Sequence, residues 1–208
     1  MLKLYGFPPT RSIRAVWTLR ELGVEFEFIQ VNLAKGEHRT TEFLAINPAG
    51  KVPVLVDGDL VLTESVAIVL YLADKYPAKG LLPTTLESRA EAQRWLLFTA
   101  TELEQPLWRI ARHTALYPKE KRLPDEVPLA REDFQSMAAV MEAHLRDRQF
   151  LVGDRVSVAD FVAAYTLDWA NEIHLLATFP QLQAYMERMY TRPSAPLRIA
   201  AALASVRA

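Results

Sequence analysis

The chain has 208 residues, 50% of them hydrophobic and 24% charged, with a formal net charge of −1. That balance fits an ordinary globular protein of one large domain or two small ones, and it excludes a global basic field that would gather nucleic acid or anionic lipid. The absence of cysteine excludes disulfides, thiolate metal sites and a cysteine nucleophile.

Leu2 to Tyr5 alternates apolar and polar residues and predicts a short strand. No signal-peptide pattern precedes it and no apolar run is long enough to span a bilayer, so a soluble cytoplasmic protein is expected. Gly6-Phe7-Pro8-Pro9 reads as a turn, with Pro8 biased to an extended conformation by the proline after it. Thr10 is placed to cap a helix carrying Ile13, Val16, Trp17, Leu19 and Leu22, with Gly23 as its stop. Phe26, Phe28 and Val31 predict a second strand, and a strand–helix–strand of this length implies a parallel pair with a right-handed crossover.

A polar stretch from Lys35 to Thr40 leads into a short helix, Thr41 to Ile46, and then Asn47-Pro48. Val54-Leu55-Val56 and Leu60-Val61-Leu62 flank Asp57-Gly58, a strong hairpin signal because both turn residues tolerate positive φ. Pro53 stands at the first residue of the incoming strand, where a missing N–H costs least. Thr63-Glu64-Ser65 ends the hairpin and opens an apolar helix over residues 66–73.

After a connector from Pro77 to Pro83 the pattern is helical throughout. Residues 87 to about 117 predict one long helix, with Pro106 expected to kink it. Pro118 to Pro128 reads as a charged, solvated loop, followed by an amphipathic helix from Leu129 to Arg148. Ser157-Val158-Ala159-Asp160 resembles a capping box opening a helix to about Trp169. Further helices are expected from Pro180 to Tyr190 and over residues 194–206. The four histidines, His38, His113, His144 and His174, lack paired ligand spacing, so no metal is expected. The organisation read from these elements is an α/β domain over residues 1–77, a linker over 78–86 and an all-α domain over 87–208.

A βαβ–ββα unit with a proline opening its third strand is the plan of a thioredoxin-like domain. Joined to an all-α domain, it carries Gly36-Glu37-His38, Phe43-Leu44, Asn47-Pro48, Gly50-Lys51-Val52-Pro53, Thr63-Glu64-Ser65 and the Ser157 to Asp160 box. In that order and spacing the chain resembles a cytosolic glutathione transferase over its whole length. It is most similar to the theta, phi and delta classes, which use an active-site hydroxyl.

The resemblance implies glutathione as cosubstrate, an electrophilic and largely apolar acceptor, no metal, and a homodimer using the third and fourth helices. It gives Ser65, at a helix N-terminus, the γ-glutamyl carboxylate, and Glu64 the ligand's amine; on local pattern alone Ser65 is equally a plain cap. The Val52–Pro53 peptide is cis in the family, which turns the Val52 backbone toward the cysteinyl unit like an added strand. Lys51 and His38 suit the glycyl carboxylate.

An aqueous thiol ionises near pH 8.5, so a hydroxyl donor at a helix N-terminus raises the thiolate fraction. Thr10 stands where related classes carry a serine, and Ser12 is a second hydroxyl in the same turn. Arg11 departs from the family pattern and would itself favour a thiolate or face solvent; Tyr5, in the strand, is the structural alternative. Phe7, Pro9 and Arg11, with Trp108, Arg112 and Tyr117 of the helical domain, are expected to line the acceptor pocket. Peroxide or disulfide reduction by glutathione is the alternative chemistry, although thioltransfer through a protein cysteine is excluded. A non-catalytic interaction protein of the same fold is the alternative from another class.

Overall fold

The computed structural model describes residues 1–207. In chain order the elements are β1 Leu2–Gly6, α1 Ser12–Leu22, β2 Phe26–Gln30, α2 Thr41–Ile46, β3 Val54–Asp57, β4 Leu60–Leu62 and α3 Ser65–Lys75. Then come α4 Leu86–Phe98, α5 Glu104–Ala111, α6 Glu126–Leu145, α7 Val158–Glu172, α8 Pro180–Tyr190 and α9 Ile199–Arg207. The chain divides into two compact units, Met1–Leu82 together with the segment from Tyr190 onward, and Pro83–Met189.

The first unit is a thioredoxin-like layer with sheet order β2-β1-β3-β4. β1 runs parallel to β2, as the crossover requires, with Leu4 opposite Phe28. It runs antiparallel to β3, with Leu4 opposite Leu55. α1 and α3 pack on each other, and their apolar side chains Trp17, Leu19, Leu22, Ile68, Val69 and Leu72 are buried together with Leu2, Leu4 and Leu55. Another cluster joins Val31, Phe43 and Val54, with Tyr5 and Ile46 packed against it. Tyr5 thus packs against the core, its ring 6.2 Å from that of Phe43.

The hairpin is shifted by one residue from the sequence expectation. Asp57 pairs with Leu60, so the turn consists of Gly58 and Asp59, and Gly58 takes the positive φ of 59°. Asp57 stays in the strand because its carboxylate accepts from Tyr71 Oη at 2.6 Å and from Lys75 Nζ, which ties the hairpin to α3.

Periodicity groups the final helix with the helices before it, but the segment from Tyr190 onward packs with the first unit. Arg192 and Ser194 both donate to the Glu21 carboxylate at the end of α1, and the Tyr190 ring lies 4.8 Å from that of Trp17. Burial opposes the Glu21 charge, but the hydrogen bonds and the charge of Arg192 outweigh it and hold the carboxyl below its ordinary pKa.

In the second unit the long run expected over 87–117 is interrupted by two wide turns of π-helix, Thr99–Leu103 and Arg112–Leu116. The first is the physical consequence of Pro106, whose ring would clash with the carbonyl of Glu102 in a regular helix. α6 starts at Glu126, earlier than expected, because Pro128 lies in its first turn, where no N–H partner is needed. The expected capping box is present: Ser157 donates from N and Oγ to Asp160 Oδ2 at 2.8 and 2.9 Å. Asp160 also accepts from Leu151 N and from Tyr185 Oη, while His144 bonds the Leu151 carbonyl, so one buried network joins α6, α7 and α8. Burial raises the Asp160 pKa against these four donors. Among the described residues no helix is long and apolar enough to cross a membrane.

Candidate active site

Three segments of the first unit carry the candidate residues. The first is the turn from Phe7 to Ser12. Gly6 is needed there, since a Cβ would come within 2.9 Å of Ser12 Oγ and of Phe28. α1 begins at Ser12 with Arg11 as its flanking residue and no side-chain cap, so Thr10 is not the N-cap. The reason is that the Thr10 hydroxyl is engaged in the turn itself. Thr10 Oγ1 donates to the Phe7 carbonyl at 2.5 Å, shares a 2.8 Å bond with Ser12 Oγ, and accepts from Ser12 N at 3.2 Å.

Ser12 Oγ in turn accepts from Phe7 N at 3.2 Å. Each hydroxyl has one proton to give. The consistent assignment is a ring: Phe7 N–H to Ser12, Ser12 O–H to Thr10, and Thr10 O–H back to the Phe7 carbonyl. Ser12 is buried at 1% exposure, whereas Thr10, Arg11, Pro8 and Pro9 are half-buried and Phe7 is buried. The Pro8–Pro9 and Val52–Pro53 peptides are both cis.

The second segment is the start of α3. Glu64, exposed, takes φ 65°, a left-handed conformation unusual for a residue with a side chain. It directs the chain so that Ser65 is the first helical residue, and no side chain caps the helix. The plain-cap reading of Ser65 is therefore not what the structure holds. Ser65 is 4% exposed, and its hydroxyl accepts from Arg14 Nη1 at 3.1 Å. Arg14 is itself 1% exposed, a cation of α1 placed behind the first turn of α3.

The third segment runs from His38 to Pro53. Asn47, buried, donates to the Lys51 carbonyl at 2.7 Å and accepts from Ala49 N at 3.1 Å, which fixes the loop. Gly50, at φ 59°, lies so close to the short 3₁₀ turn Glu37–Arg39 that an added Cβ would meet the His38 carbonyl at 2.9 Å. His38 and the Lys51 loop are thereby neighbours. His38 Nδ1 is buried without a hydrogen-bond partner, and Lys51 is exposed.

In the second unit, Trp108 packs edge-on against Trp169 at 5.3 Å, and the Arg112 guanidinium lies over the Trp108 ring at 5.9 Å. Tyr117 belongs to a different cluster, edge-on to His113 at 5.3 Å, and its carbonyl accepts from Arg122.

Arg14 and Asn47 escaped the sequence reading. Arg14 falls three residues before Trp17, at a core position of α1, and a charge at an apolar position is the signal that would have found it. Asn47 was visible only as part of Asn47-Pro48.

Models of the glutathione S-transferase N-terminal and C-terminal domains match residues 1–74 and 101–193. Glutathione S-transferase F10 of Arabidopsis thaliana is 36% identical over 201 residues, covering 92% of this chain and 93% of the relative. The solved glutathione S-transferase of Xylella fastidiosa superposes with a TM-score of 0.85 at 31% identity, covering 99% of this chain and 98% of that one. A glutathione transferase homologue from Sulfitobacter, solved with bound glutathione, superposes with a TM-score of 0.84 at 25% identity over 94% and 95% of the two chains. Matched in sequence over more than nine-tenths of its length, and in fold over as much, the chain belongs to the glutathione S-transferase family.

Proposed function

We propose that this enzyme joins the thiolate of glutathione to an electrophilic, largely apolar small molecule, with Thr10 as the hydroxyl that stabilises the thiolate. The observation that carries this reading is the hydrogen-bond ring of Phe7, Thr10 and Ser12. Two donors from Ser12 converge on the Thr10 oxygen, and donors feeding an oxygen strengthen its own O–H as a donor. An arriving thiolate competes with the neutral Phe7 carbonyl for that O–H and gains a charge-assisted bond. The positive end of α1 and the charge of Arg11 favour the same anion. Ser12 feeds the donor and does not meet the thiol.

Binding follows from the other two segments. Ser65, held by buried Arg14 at an uncapped helix start, suits the γ-glutamyl carboxylate, and Glu64 the amine. The vacant His38 Nδ1 and the Lys51 ammonium suit the glycyl carboxylate. The Val52 backbone before Pro53 suits the cysteinyl unit. The bound glutathione of the Sulfitobacter homologue supports this ligand. Phe7, Pro9 and Arg11 in the first unit, and Trp108 and Arg112 in the second, have the apolar and cationic character an activated aromatic acceptor needs; Tyr117 is the weaker member of the set because it packs on His113.

Chemistry consists of attack by sulfur on an electrophilic carbon, and the gain comes from thiolate fraction and positioning. Thr10→Ala and Ser12→Ala compared at equal glutathione saturation test the assignment: Thr10→Ala loses turnover and Ser12→Ala keeps most of it. Loss confined to Ser12→Ala would exchange the two roles.

The same proposal includes a two-fold homodimer through α3 and α4, supported by the exposed Leu86 and Leu97 of α4. Light scattering giving a mass near the 23.6 kDa of one chain would refute it.

A further inference from the structure

β2 is one edge of the four-stranded sheet and pairs with β1 alone. Val31 N donates to the Gly6 carbonyl of β1 at 2.8 Å. Backbone groups alternate in direction along a strand, so Glu27 and Ile29 also face β1, and the N–H and C=O groups of Phe26, Phe28 and Gln30 face outward. These outward groups make no hydrogen bond among the described residues. Phe28, at 38%, and Gln30 are exposed, so the edge is open to solvent.

Beside the same strand lies a groove of about 260 Å³, walled by Val16 of α1, by Phe26 and Phe28, and by Leu197 and Ala202 of the C-terminal segment. Phe26 and Phe28 thus give the groove their side chains and the open edge their backbone groups. An apolar cavity of about 150 Å³ holds a benzene ring, so this one takes about two apolar side chains. The strand's charges, Glu25 and Glu27, alternate to the other face, where Glu27 pairs with Lys3 at 3.7 Å, and leave the groove side unguarded. Arg20, in the last turn of α1, is the single charged residue of the lining. It is exposed and makes no ion pair among the described residues, and it stands at the end where β2 begins.

We propose that the β2 edge docks the extended C-terminal segment of a partner protein as a fifth strand antiparallel to β2, with apolar side chains at two alternate positions in the groove and the terminal carboxylate at Arg20. An extended chain satisfies the row of backbone groups and fills the groove with the same period of two. An antiparallel strand ends where β2 begins, which brings its carboxylate to the one cation. A second copy of this chain fits less well, because the matching face of its own β2 carries Phe26, Phe28 and Gln30 and no acid.

The probe is a library of random heptapeptides displayed with free C-termini and selected on the immobilised full-length enzyme in excess glutathione, which keeps peptides out of the glutathione site. Selected sequences carry apolar residues at alternate positions. In fluorescence polarisation, amidating the C-terminus of the strongest peptide weakens it about fivefold on the wild-type enzyme, the scale of one solvent-exposed ion contact, and not on Arg20→Gln. N-methylation of the peptide, one residue at a time, costs about tenfold at every second residue and little between them, because alternate N–H groups face β2. Gln30→Pro removes one outward N–H, a change an edge strand tolerates, and weakens the peptide about tenfold with glutathione affinity unchanged. Should that variant fail to fold, the N-methylation series decides alone. A selection without alternating sequences, or binding indifferent to the position of the N-methyl group or to amidation, overturns the proposal. Self-association of the enzyme that Gln30→Pro abolishes would give the edge to a second copy and equally overturn it.

Discussion

Two helices of the first unit begin with a serine, and the two beginnings are built differently. At α1, Ser12 and Thr10 satisfy each other and close a ring on the two backbone groups of Phe7. At α3, Ser65 takes its hydrogen bond from a buried guanidinium behind it, no side chain caps the helix, and Glu64 bends the chain through positive φ to leave the first turn uncovered. In the function proposed above, the first arrangement exchanges a bond to activate the thiol and the second receives an anion, and substitutions should separate the two.

The largest expected effect is at Thr10. Thr10→Ala should lower turnover at saturating glutathione by about a hundredfold, the scale of losing one donor aimed at developing charge. Glutathione affinity measured by calorimetry should barely move, and Thr10→Ser should restore most activity. Next comes Ser65→Ala, which should weaken glutathione binding about tenfold to a hundredfold, the worth of one hydrogen bond to a charged group, with turnover at saturation nearly kept. Arg14→Gln should follow it in direction. A loss of kcat rather than affinity in either variant would erase the distinction between the two helix starts.

Ser12→Ala should act on the fold more than on the chemistry. It leaves the Phe7 N–H without its acceptor beside a buried side chain, a cost of about 1–3 kcal/mol seen as a lower denaturant midpoint.

The smallest effect belongs at the far end of α1. The Glu21 carboxyl, held below its ordinary value, binds fewer protons folded than unfolded between the unfolded pKa of 4.5 and its own. Its contribution is complete above pH 4.5 and is lost as pH falls through the folded value, by about 1 kcal/mol or less. Glu21→Gln should flatten that part of the stability profile while leaving glutathione affinity at neutral pH unchanged.

Much of this was legible in the chain. Period-two and helical spacing located the β1–α1–β2 crossover, and Asp57-Gly58 located the hairpin, because those signals are local. The turn at Phe7 was legible only in part. The identities Thr10 and Ser12 marked it, but that Ser12 would be buried and Thr10 diverted from capping depends on Gly6 admitting the Ser12 side chain. The partnership of Arg14 with Ser65 spans 51 residues and had no local trace. Nor did the packing of Glu21 with Arg192, which ties the last segment to α1 across 171 residues. Helical periodicity reports which face of a helix is apolar, not which body that face joins.

The most direct test of the central claim is an ultraviolet titration of the glutathione thiolate in the binary complex. The ring at Thr10 predicts a midpoint well below the value of about 8.5 for a free thiol, and a midpoint close to the free value in Thr10→Ala with glutathione still bound. A bound thiol that titrates like free glutathione in the wild-type enzyme, or one whose lowered midpoint survives Thr10→Ala, would contradict it.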